Sequence, residues 1–250
     1  SLFHNSFQKY LDQYPTSVRR DEAYRFLLDV YLTSRDYERG LNALDQIQDK
    51  DLTVRESYQL LAYNRGVELY QGGKYKQALV YFNKVRTYPI DAQLAAESLY
   101  WEGECHFSLR DYVNATGSYS KFSRAPGGYL SSYYPAADYA RGYALFKRKK
   151  YSDALSAFRS YLEAHPEDAP KRIHDAELRT ADCFYAKKEF DRAVTYYDRC
   201  LDNTTENKGN VDYILYQRAM SMSLTEAAES LTEQIEGLDK LLEEFPKSRF

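Results

Sequence analysis

Asp138 to Pro166 reads DYARGYALFKRKKYSDALSAFRSYLEAHP. Two apolar stripes run through it. The first joins Tyr139, Tyr143 and Phe146, beside Gly142 and Leu145; the second joins Ala154, Leu155, Phe158, Tyr161 and Leu162. Steps of three and four put each stripe on one side of a helix. The basic run Lys147–Lys150 falls at the end of the first helix, where cations favour the carbonyl end of the dipole. The turn carries Tyr151, with Ala154 three residues on beginning the second helix. Such a hairpin cannot cover both of its apolar faces alone, so it needs copies of itself.

The chain supplies them. A charged residue, an aromatic, two variable residues and a small one recur, ending at Gly40, Ala78, Ala115, Ala154 and Ala193, which lie 38, 37, 39 and 39 positions apart. Four residues after each comes a bulky side chain (Leu44, Phe82, Tyr119, Phe158, Tyr197), and three further on another (Ile47, Val85, Phe122, Tyr161, Cys200). That spacing describes a buried helix face. Twelve residues before the small residue stands a second small one, Gly66, Gly103, Gly142 or Ala181, replaced by Leu28 in the first copy. Three residues after that comes a large one: Tyr31, Leu69, His106, Leu145, Phe184. A period in this range marks a solenoid of helix pairs.

This pattern resembles the tetratricopeptide repeat, in which a small residue, an aromatic, a second small residue, a Phe and a Pro return at fixed spacing. The resemblance implies an all-α, right-handed α-solenoid of about six antiparallel helix pairs plus one leading half-pair. Pairs are expected near 21–50, 56–88, 92–123, 133–165, 173–201 and 211–245, after a lone helix over 2–14. The copies exceed the usual length of about 34 residues, and the surplus falls in loops such as 124–132 and 202–210. The sixth pair departs from the pattern: Gln234 stands where a small residue is expected, and the turn around 224–230 is longer. Tyr10-Leu-Asp-Gln-Tyr-Pro15-Thr-Ser17 is echoed by Leu241-Leu-Glu-Glu-Phe-Pro246-Lys-Ser248. With Leu2, Phe3, Phe7 and Phe250 near the ends, this reads as one array over 1–250, cut from a longer one with further units on both sides. The Pro-x-Ser endings also resemble bacterial envelope repeat proteins of the outer-membrane assembly lipoprotein and Tol–Pal coordinator types. That implies a periplasmic or outer-membrane-associated setting, with the cytoplasm as the alternative.

Little chemistry is written in the chain. A net charge of −3 gives nucleic acid no electrostatic reason to bind. No stretch is long and apolar enough to insert into a membrane, and there is no phosphate loop, nucleophile elbow or HExxH motif. The three cysteines, Cys105, Cys183 and Cys200, fall in repeat core positions and behave as small apolar residues. Glu102, Cys105 and His106 would have to converge for a metal-dependent hydrolase, but His106 occupies a core slot. His174, beside Asp175, reads as part of a helix start. Neither an enzyme nor a cofactor is expected.

The family resemblance also implies a concave groove lined by the first helix of each pair, at three before, one after and four after the small residue. Those positions are Tyr63, Val67 and Tyr70; Tyr100, Glu104 and Phe107; Tyr139, Tyr143 and Phe146; Leu178, Asp182 and Tyr185. In the sixth pair they are Tyr213 and Tyr216. Of 26 tyrosines in the chain, many thus converge on one face with acidic points at Glu104 and Asp182. Tyrosine offers a broad ring and a hydroxyl at low entropic cost. The function expected is a non-enzymatic scaffold binding a protein or extended peptide. A carbohydrate or cell-wall fragment is the alternative ligand, and the same tyrosines filling the inside of the superhelix is the competing reading. The Lys and Asn that clamp a terminal carboxylate elsewhere in the family are missing; only Asn64 and Arg65 lie near.

Overall fold

The computed structural model describes residues 2–165, 167–202, 210–225 and 230–248. Within these, the chain is helical apart from its turns, and no strand occurs among the described residues. The helices group into two compact units, residues 1–133 and 134–250. The first unit holds α1 (Leu2–Gln13), α2 (Arg20–Ser34), α3 (Tyr37–Asp45), α4 (Leu52–Gln71), α5 (Tyr75–Val85), α6 (Ala92–Ser108) and α7 (Tyr112–Arg124). The second holds α8 (Tyr134–Lys147), α9 (Tyr151–Ala164), α10 (Pro170–Ala186), α11 (Phe190–Asp202), α12 (Val211–Met222) and α13 (Ser230–Glu244). In each unit every helix packs on the next in sequence, so the hairpins stack in chain order. The fold is an α-solenoid.

The repeat stripe forms the core. Ala78, Ala115, Ala154 and Ala193 are fully buried, as are Leu44, Phe82, Tyr119, Phe158 and Tyr197. Small and large residues are matched in size across each pair. A Cβ built on Gly66, Gly103 or Gly142 would lie 2.6, 2.5 or 2.7 Å from the ring of Phe82, Tyr119 or Phe158. The glycines let an aromatic of the second helix lie flat on the backbone of the first. Where the first helix carries Leu28, the partner shrinks to Leu44, and both lie in one core cluster. Gly40 serves a second approach: its Cβ would meet Leu61 of α4 at 2.9 Å.

The turn inside each pair also repeats. Arg35, Gly73, Arg110, Lys149 and Lys188 adopt left-handed backbone, with φ of 58, 72, 61, 58 and 64°. The next residue donates its N–H to a carbonyl five residues back: Asp36 to Tyr31 at 3.0 Å, Lys74 to Leu69 at 2.8 Å, Asp111 to His106 at 2.8 Å, Lys150 to Leu145 at 3.0 Å and Glu189 to Phe184 at 3.0 Å. This is the Schellman closure of a helix. The acceptors are the five large residues of the repeat, so one position closes the helix and, in Tyr31, Leu69, Leu145 and Phe184, also anchors the core.

Several expectations are refined. The surplus loop at 124–132 contains a 3-10 turn, Gly128–Leu130, that packs on α6 and α7. His106 is half-buried rather than core, and its Nδ1 lies 3.3 Å from Asp111, so the imidazole follows the turn instead of filling the interior. His174 is buried inside α10 and caps nothing; the helix starts at Pro170, and no side chain caps it. The 203–209 loop, most of the 224–230 turn and the side chains of Leu2, Phe3 and Gln234 fall outside what the structure describes, as does Phe250.

Candidate interaction face

The first helices carry the aromatic positions, and their rings follow a rule the repeat dictates. The residue four after the small one packs edge-on or tilted against the aromatic that opens the second helix. Ring centroids lie 5.4 Å apart for Tyr70–Tyr75, 5.3 Å for Phe107–Tyr112, 5.5 Å for Phe146–Tyr151 and 5.7 Å for Tyr185–Phe190. These four therefore close the hairpin turns while remaining half-exposed.

The other positions are joined by hydroxyl–carboxylate bonds, some within a pair and some crossing from one pair to another within a unit. In the first unit the Tyr63 hydroxyl donates to Glu97 at 2.7 Å, and Gln93 supports the same carboxylate at 2.9 Å. Tyr119 donates to Glu104 at 2.7 Å, with Tyr70 more distant at 3.4 Å. Trp101 donates its indole N–H to the Tyr63 oxygen at 3.1 Å. Its ring lies parallel to Phe82, with centroids 6.3 Å apart, and 4.9 Å from Tyr70. Tyr100, nearly buried, stacks on Tyr133 at 4.7 Å. Burial raises the Glu104 carboxyl above the usual carboxylate range, and it pushes the Tyr70 hydroxyl up to about 12.

In the second unit Tyr139 donates to Asp175 at 2.7 Å, and Tyr143 donates to the same oxygen. Asp182, buried, accepts from Tyr197 at 2.8 Å and Tyr213 at 2.9 Å. Arg179 sits between the two aspartates. It donates to the Tyr143 oxygen at 2.8 Å, to Asp182 at 2.6 Å and to Asp175 at 3.3 Å, with its guanidinium over the Tyr143 ring. Burial raises the Asp182 carboxyl despite that cation.

In the first unit Tyr63, Tyr70 and Tyr100 all meet Trp101, and Glu104 reaches Tyr70, while Phe107 packs on Tyr112. Tyr139, Tyr143, Phe146, Asp182, Tyr185 and Tyr213 cluster in the second, where Tyr216 is half-buried. Val67 is half-buried, and Leu178 is fully buried with no surface to offer. Arg65 is held by Glu38 and Glu68, both at 2.7 Å. Sequence reasoning missed the carboxylates that fix the tyrosines, Glu97 and Asp175, and the cation Arg179. Their signal is register: Glu97 and Glu104 stand six before and one after Gly103, as Asp175 and Asp182 do around Ala181.

The hydrolase constellation does not assemble. Glu102 bonds Arg86 at 2.6 Å, His106 faces Asp111, and Cys105 is buried with its thiol pushed up to about 12 by desolvation. Among the described residues no group of three His, Cys, Asp or Glu is placed to hold a metal, and no helix is long and apolar enough to cross a membrane.

Residues 63–129 match the family model of the tetratricopeptide repeat, and residues 131–250 match that of an outer membrane lipoprotein. No curated protein matches the chain in sequence. Among solved structures it is similar to YrrB, described as a TPR protein with an unusual peptide-binding site. The TM-score is 0.60 at 18% identity, covering 76% of this chain and 87% of that one. MamA from Desulfovibrio magneticus RS-1 gives a TM-score of 0.60 at 18% identity over 77% of this chain and 98% of that one. MamA AMB-1 gives 0.59 at 16% identity over 76% and 93%. Likenesses at that identity speak for the fold, a stack of helix pairs of the kind these proteins share. With five copies of the repeat motif in register and a family match inside them, the chain carries tetratricopeptide-type repeats, and its residues 131–250 match the model of an outer membrane lipoprotein family.

Proposed function

We propose that the chain is a non-enzymatic scaffold that holds a partner protein or extended peptide along the aromatic face of its first helices. The observation that carries this reading is the fixed tyrosine array. Tyr63, Tyr139 and Tyr143 are half-exposed, yet their hydroxyls are held by Glu97 and Asp175. Rings held in place by such acceptors lose little entropy on binding, which favours recognition. The peptide-binding site for which YrrB is described supports the same class of ligand. The similarity of residues 131–250 to an outer membrane lipoprotein family supports an envelope setting.

Site-specific photocrosslinking tests the reading. A photoreactive phenylalanine analogue is placed at Phe107 or Tyr185 on the aromatic face, or at Val80 or Val113, exposed on the second helices α5 and α7. Protein adducts formed in cells at the first two positions and not at the second two support it. Equal adducts at all four positions, or none at any, reject it.

A further inference from the structure

The two units carry the same acidic frame, filled differently. In α10 the frame is Asp175 and Asp182, seven residues apart, with Arg179 between them bonded to both. In α6 it is Glu97 and Glu104, at the same register, and the residue in the place of Arg179 is Trp101. Two helical turns separate the carboxylates, about 10 Å along the axis. Among the described residues no basic side chain is bonded to Glu97 or Glu104; their partners include Gln93 and the hydroxyls of Tyr63, Tyr70, Tyr100 and Tyr119. The indole of Trp101 lies between them, half-exposed and bordered by Tyr70 and Tyr133 at 4.9 and 5.3 Å. An indole is the best aromatic platform for a cation. A carboxylate withdrawn from water without a cation is costly, and an arriving guanidinium offsets that cost.

We propose that Glu97, Trp101 and Glu104 form a receptor for an arginine side chain of the bound partner. The partner supplies in trans the cation that Arg179 supplies within the second unit. The proposal rests on the reading of the first-helix face as an interaction face, and it specifies what that face selects. Arginine fits better than lysine because the occupied counterpart uses a planar fork shared between two carboxylates and stacked on a ring.

The test uses Gly/Ser nonapeptides carrying one arginine or its neutral isostere citrulline. Trp101 is the chain's single tryptophan, so its emission reports on the site directly. The arginine peptide is expected to shift that emission and to bind about tenfold or more tightly than the citrulline peptide, the scale of a charge-assisted hydrogen bond. Glu97→Gln with Glu104→Gln keeps acceptors for Tyr63 and Tyr119 and should abolish the preference. Trp101→Arg, read by calorimetry, restores the pattern of the second unit and should abolish it too; this variant decides the matter if the double one does not fold. Equal affinity for the two peptides, or a preference that survives both variants, overturns the proposal. So does failure of the arginine peptide to bind. Photocrosslinks formed at Phe107 alongside any of those results would leave the scaffold reading standing and sink the arginine receptor alone.

Discussion

Single residues in this chain are chosen against each other rather than one by one. Gly142 exists because Phe158 lies on it, and a methyl there would sit 2.7 Å from the ring. Alanine is ordinarily better than glycine in a helix by about 1 kcal/mol. Here overpacking, typically about 1–3 kcal/mol, should win. Gly142→Ala is therefore expected to lower the urea midpoint with an unchanged slope, and adding Phe158→Leu should recover part of the loss. A gain in stability from the single change would show that the ring moves aside freely.

Glu104 poses a contest between two costs. Its carboxyl is raised by burial, so the folded state holds the proton more tightly than the unfolded one. Stability linked to this group accordingly falls as pH rises from the unfolded value, about 4.3, through the raised folded one. Glu104→Gln should flatten that slope and raise the denaturation midpoint at pH 7. Glu104→Ala should lower it by about 1–3 kcal/mol, since the buried Tyr119 hydroxyl loses its acceptor. Measured midpoints between pH 4.5 and 8 separate the two. The thiols of Cys105, Cys183 and Cys200, each pushed up to about 12 by burial, should stay silent to Ellman's reagent at pH 8 until denaturant is added.

At the level of elements, the hairpin turn is the repeated device. Four of its five left-handed positions are Arg or Lys, which carry a Cβ into a region that suits glycine. That strain is of the order of 1–2 kcal/mol per residue, against the entropy a glycine loses on folding. Lys149→Gly should gain a few tenths of a kcal/mol or more, while Gly73→Ala should lose about 1 kcal/mol, both measured in urea. A loss in the first variant would mean that the side chain contributes more than its backbone costs. Between pairs, a different element does the joining. The buried side-chain amide of Gln59 in α4 donates to the Asp91 carbonyl at 2.8 Å and accepts its N–H at 2.7 Å, fixing the loop ahead of α6. Nothing in the helical periodicity marks that glutamine, because a buried polar residue on an apolar stripe looks like an exception until its partner is seen.

Across the whole molecule, stability in a repeat array is a sum of local terms. The chain divides into two compact units, and Trp101 belongs to the first alone. Gly142→Ala, a change in the second unit, should lower the midpoint seen by far-UV circular dichroism more than the midpoint seen by Trp101 fluorescence. Equal shifts by both probes would mean that the chain unfolds in one cooperative step.

The fold was legible in the order of the residues. Period, helix pairing, core stripe and turn position follow from the spacing of small and large residues, because helix geometry converts such spacing directly into a buried face. Helix boundaries were legible to within a few residues: α4 starts at Leu52 and α10 at Pro170, slightly ahead of the expected 56 and 173. The tyrosines were legible as first-helix residues, since register assigns them there. Which groups their hydroxyls meet emerges only from the packed molecule. Tyr63 meets Glu97 and Tyr139 meets Asp175 across separations of 34 and 36 residues. Arg179 answers two aspartates where Trp101 leaves two glutamates without a cation. Hydrogen bonds depend on where two side chains end in space, and a repeat pattern specifies which positions face each other without specifying which groups bond.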